Sequence, residues 1–241
     1  MKNLNGNSFE YDGFDIYVVE STFILPVFYK FSDKINSLRR FWIRSQILFN
    51  EDFLQQLNKK NNLESELLSE KDSIPDFIDV EELIENQQET LNEELNFDQQ
   101  YFVQHIRASV IVFALSLFED VLKNVANGVA EELKITLQIN EGNNSTINKY
   151  LEWLRLYNLN VNLTESEKQK IDLIRKIRNN FIHSINAKLP YYLQNALNDL
   201  FKDYSKEGSI TSDNMVEKTL VVVSNIVKKI ELEYIEFSSS R

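Results

Sequence analysis

Glycine and proline are scarce in this chain, at 5 Gly and 3 Pro in 241 residues. An antiparallel sandwich needs a turn every ~8–12 residues, and turns draw on these two residue types more than on any others. The scarcity therefore argues against an all-β fold, and equally against a glycine-rich phosphate loop. The expectation is an all-α chain, a helical bundle of five to six helices. Only Phe9 to Phe28, rich in Phe, Tyr, Val and Ile around the turn signal Asp12-Gly13, offers a small N-terminal β-hairpin.

Apolar periodicity places the helices. Ile35, Leu38, Phe41, Trp42, Ile47, Phe53 and Leu54 recur at helical spacing from Asp33 to about Asn58, behind a cap at Ser32. Val103, Ile106, Val110, Phe113, Leu117, Val121 and Val125 then follow in steps of three and four, which marks Asp98 to Leu133 as the central helix. After Gly142-Asn143-Asn144, Ser145 caps a short helix to about Tyr157. Thr164 with Glu167 fits a capping box that opens a helix to about Asn186. Two further helices are expected near Pro190 to Tyr204 and Asp213 to Phe237. The chain thus divides into an N-terminal extension and helix (1–61), an acidic segment (62–97) and a helical bundle (98–241).

The net charge is -11, which taken globally argues against a phosphate-rich partner. Its distribution changes that reading. Asn62 to Asp98 holds thirteen acids against the single base Lys71, so the remaining residues carry one net positive charge. This acidic stretch is interrupted at Ser73-Ile74-Pro75 and turns helical in pattern afterwards, through Val80, Leu83, Ile84, Leu91 and Leu95. It reads either as a helix on the body or as a partly ordered excursion.

The absence of cysteine removes disulfides, thiolate zinc sites and cysteine nucleophiles, and suits a reducing cytoplasm. Two histidines without an H-E-x-x-H pattern give metal chemistry no support, and no cofactor fingerprint is present. The longest apolar run, Val110 to Phe118, falls far short of the ~20 residues that span a bilayer. Met1 to Gly6 has no apolar stretch behind Lys2, unlike a secretory signal. A cytoplasmic chain without a membrane partner is expected.

The residues with chemistry to offer lie in the helix opened by Thr164. With Arg178 at 0° and ~100° per residue, Ile171, Ile174, Phe181, Ile182 and Ile185 fall within about 60° of it. Lys168, Arg175, Lys176, Asn179 and His183 gather on the arc from about 60° to 160°, with Asp172 among them. Arg178 thus sits in an apolar stripe and needs a counter-ion, because an unpaired buried charge costs several kcal/mol. Glu119 and Asp120, which interrupt the apolar central helix, are the candidates. A structural reading, with Arg178 a tethered core residue and His183 an ordinary surface one, accounts for the same spacing.

Arg178-Asn179-Asn180-Phe181-Ile182-His183 resembles the R-x(4–6)-H signature of the HEPN superfamily, including the polar residue after the Arg. Phe118-Glu119-Asp120 on the preceding long helix is similar to stand-alone members, and the resemblance covers about Asp98 to Phe237. It implies a metal-independent endoribonuclease, dimeric, in a toxin–antitoxin, phage-defence or RNA-processing setting, with an antitoxin or defence protein as partner.

The residues support that chemistry on their own terms. RNA supplies its own nucleophile, the 2′-OH, so cleavage needs a base, an acid for the leaving oxygen, and cations for the growing phosphorane charge. Histidine as a residue type is suited to proton transfer near neutral pH, which makes His183 the candidate proton carrier. Arg178 can donate two parallel hydrogen bonds to a phosphate, and Asn179 can orient the substrate or the imidazole. Arg175, Lys176 and Lys168 are the candidate substrate-binding cations. One His per site leaves the acid or the base unfilled, and a two-fold axis would supply the second. Two other readings stay open: a catalytically silent HEPN-like binding module, and a helical interaction protein whose acidic segment mimics nucleic acid.

Overall fold

The computed structural model describes residues 15–19, 25–69, 79–97, 102–139, 145–183, 189–201 and 213–240; their regular secondary structure is helical, with no strand among them. Among the described residues seven helices run in the order α1 (Pro26–Ser69), α2 (Val80–Phe97), α3 (Val103–Leu133), α4 (Thr146–Leu156), α5 (Glu165–His183), α6 (Tyr191–Phe201) and α7 (Asp213–Ser239). The five to six expected become seven because the later half of the acidic stretch is a helix in its own right. Its start has a local cause. Asp79 Oδ1 accepts from the backbone N–H of Glu81 at 2.9 Å, and Glu81 and Glu82 lie in the first turn, where the helix dipole favours negative charge.

The expected N-terminal hairpin is not supported by its described part. Asp12-Gly13 lies outside the described residues, residues 15–19 are not a strand, and Pro26 to Phe28 are already helical. Proline suits a first helical position, where its missing N–H has no intrahelical partner to lose. α1 consequently starts seven residues before Asp33 and runs on through Ser69, beyond the expected Asn58. Ser32 is no cap. Its hydroxyl donates to the Tyr17 carbonyl at 3.0 Å from inside the helix.

Two compact units divide the chain, Trp42–Ile106 falling in one, and Asp12–Phe41 with Arg107–Arg241 in the other. In the first, α1 and α2 are joined by Lys60 donating to Asn92 at 2.5 Å, and Phe49 meets Phe102 edge-on with centroids 5.5 Å apart. Leu63 and Leu91 are buried.

The second unit is built on α3 and α7. Ala114, Leu115, Phe118, Val121, Leu122, Val125, Ala126 and Val129 are buried on α3, and Val216, Leu220, Val223, Ile226, Val227 and Ile230 on α7. Each large side chain taken out of water contributes about 1.5–3 kcal/mol before entropy is counted. Phe113, expected on the buried stripe, is exposed instead. Gly128 makes room for Leu25: a Cβ there would stand 2.7 Å from Leu25 Cδ1.

The segment 15–19 is tied to this unit through Tyr17. Its N–H donates to Asn36 Oδ1 at 3.3 Å, Asn36 Nδ2 donates to its carbonyl at 2.9 Å, and its hydroxyl donates to Glu231 Oε2 at 2.6 Å. Glu231 is fully buried and also meets Lys228 Nζ at 3.1 Å, so its charge is compensated from two sides as burial requires.

Candidate functional site

α5 carries the site and starts as its sequence dictates. The Thr164 N–H donates to Glu167 Oε2 at 2.8 Å, and the Glu167 N–H donates back to Thr164 Oγ1 at 3.2 Å, a reciprocal capping box. Lys229 of α7 adds an ion pair to the same carboxylate at 2.7 Å. Burial works to raise the Glu167 pKa, but the hydrogen bonds from Lys229 and Thr164 prevail and hold it below its ordinary 4.5. Nothing in the spacing around Thr164 pointed to Lys229. α5 then packs against α6 and α7.

The buried residues of α5 are Ile171, Leu173, Ile174 and Ile177. On the helical wheel their mean direction lies about 65° from Arg178. Arg178 therefore stands at the margin of the buried face and not in its middle, which corrects the expected stripe: Leu173 and Ile177 belong to the face, Phe181 is half-buried and Ile182 is 57% exposed.

That margin is where a guanidinium can keep both a protein partner and water. Arg178 Nη1 donates to Glu119 Oε1 of α3 at 2.9 Å, with side-chain exposures of 19% and 26%. Arg178 Nε donates to Asn179 Oδ1 at 3.2 Å. Among the described residues these two contacts orient the guanidinium and leave the Nη2 protons and one on Nη1 for an incoming oxygen. Of the two candidate counter-ions Glu119 is the partner. Asp120, one residue on, is exposed and accepts from Asn124 Nδ2 at 3.0 Å.

The candidate substrate-binding cations are less available than their spacing implied. Asp172 holds Arg175 at 2.6 Å and Lys176 at 2.7 Å, and Lys168 lies 3.7 Å from Glu165. Burial works to raise the Asp172 pKa, yet the hydrogen bonds and charges of Lys176 and Arg175 outweigh it and keep the carboxyl below its usual 3.8. One carboxylate against two cations leaves this patch with one surplus positive charge. His183 is the last residue of α5, with a side chain outside the described residues, and His105 of α3 is exposed. Among the described residues no cluster of three metal-ligating side chains occurs, and no helix is long and apolar enough to cross a membrane. No family model, curated protein or solved structure matches the chain.

Proposed function

We propose that the chain is a metal-independent endoribonuclease of the HEPN type, working in the cytoplasm as a homodimer in phage defence or a toxin–antitoxin pair. The observation that carries the reading is the Arg178 guanidinium, oriented by Glu119 and Asn179 with donors to spare, one and a half turns before a histidine on the same helix. A guanidinium held this way supplies fixed positive charge where a phosphorane develops negative charge. His183 moves the proton, as base for the 2′-OH or acid for the 5′-oxygen, and a second chain fills the other role. Asn179 is the orienting residue, while Arg175, Lys176 and Lys168 reach phosphates along the strand by exchanging their present carboxylate partners for them.

RNA cleavage in the presence of a chelator, wild type against His183→Ala, tests the reading. The expected loss is ~10²–10⁴-fold in rate with an unchanged melting curve. Cleavage by His183→Ala at the wild-type rate overturns it. A silent binding module of the same type is the second reading. The observation favouring it is the Arg178–Glu119 pair itself, which can serve the fold alone.

A further inference from the structure

From Leu173 to Asn198 the chain runs 26 residues without an Asp or Glu, the longest such stretch in a sequence with 37 acids. Within it lie Arg175, Lys176, Arg178 and Lys188, together with His183 and the adjacent Tyr191 and Tyr192. Those tyrosines open α6 and are 77% and 64% exposed.

Their footing is firm. The N–H groups of Leu193 and Gln194 donate to the Pro190 carbonyl at 2.9 and 3.2 Å, and Gln194 Nε2 donates to the Leu189 carbonyl at 2.7 Å. Leu189 and Leu193 are buried on either side of the pair. Neighbouring helical residues point about 100° apart, so the two rings fan outward from a fixed turn and do not present one flat apolar face. Seven residues, 184–190, connect this turn to the end of α5.

We propose that Tyr191 and Tyr192 are a stacking platform for unpaired bases of an RNA strand whose phosphates follow the cations of α5. The inference rests on the ribonuclease reading for its choice of RNA, and adds that the substrate is single-stranded. Anchored rings with free faces accept bases of any identity, because every base has a π-face. Arg175 and Lys176 share the single carboxylate of Asp172, and the positive charge left over complements a phosphate backbone.

The test uses a single-stranded oligoribonucleotide with 2-aminopurine and 2′-O-methyl riboses, which lack the nucleophile and stay intact. Wild type is expected to quench the aminopurine and to bind the strand more tightly than its duplex. The double variant Tyr191→Leu/Tyr192→Leu, which keeps apolar bulk but no π-face, is expected to lose the quench and bind ~10-fold or more weakly. Tyr191→Phe/Tyr192→Phe retains both. Unchanged binding by the Leu pair, absence of wild-type binding, or dissociation of a dimer by the Leu pair without loss of RNA affinity each overturns the platform. Wild-type binding with quenching, but no cleavage of unmodified RNA, removes the ribonuclease reading and leaves the platform standing.

Discussion

Breaking the Arg178–Glu119 pair is expected to cost the fold about 1–2 kcal/mol, less than a buried ion pair and more than a surface one. Two unit charges ~4 Å apart attract by about 4 kcal/mol at an effective dielectric of 20. Desolvation and side-chain ordering offset most of that. Fully exposed pairs net ~0–1 kcal/mol, whereas breaking a buried one costs ~3–5 kcal/mol. With side chains 19% and 26% exposed and a single 2.9 Å hydrogen bond, this pair falls between the two limits.

A chain of 241 residues loses ~2–4 °C of melting temperature per kcal/mol, so Arg178→Ala and Glu119→Ala should each melt about 2–8 °C lower. Because each variant removes the same contact, Arg178→Ala/Glu119→Ala should be little worse than either alone. A coupling within the ~0.3–0.5 kcal/mol scatter of independent sites refutes the reasoning. Arg178→Lys should recover part of the stability and little of the proposed cleavage, since an ammonium keeps the charge but lacks the planar fork held by Asn179.

Tyr17→Phe removes a hydrogen bond to the fully buried Glu231 carboxylate and should destabilise by about 1–3 kcal/mol. Urea unfolding checks this, and Tyr17→Phe as stable as wild type would show that the carboxylate is held without the Tyr17 hydroxyl. Glu167 and Asp172 both titrate below their ordinary values in the fold. A depressed carboxyl stabilises above its unfolded pKa and loses that contribution as pH falls through the folded one, so stability should decline below about pH 4.5, less steeply in Asp172→Asn. Tyr234, buried and donating to Glu132, is pushed up to about 12. The unfolded chain therefore ionises first, and stability should fall from about pH 10 to 12, an alkaline slope that Tyr234→Phe flattens.

What the sequence determined by itself is whatever a few neighbouring residues settle among themselves. The α5 start was legible because Thr164 and Glu167 complete their bonds three residues apart. Ser145, likewise, caps α4 by accepting from the Asn148 N–H at 3.3 Å. The all-helical class followed from scarce turn residues and from periods that span a whole helix. The candidate site residues of α5 were named from the same local pattern.

Tertiary structure decided what depends on partners far along the chain. Ser32 looked like a cap, but the Tyr17 carbonyl, fifteen residues away, takes its hydroxyl, and α1 starts at Pro26. Glu119 and Asp120 were equivalent as letters. They point about 100° apart on α3, and only the packing of α3 beside α5 decides which one meets Arg178. The face that α5 buries was misjudged for the same reason. A helix carrying apolar residues around much of its circumference can bury more than one arc, and the neighbours α6 and α7 select the arc holding Leu173 and Ile177, which leaves Arg178 at its edge.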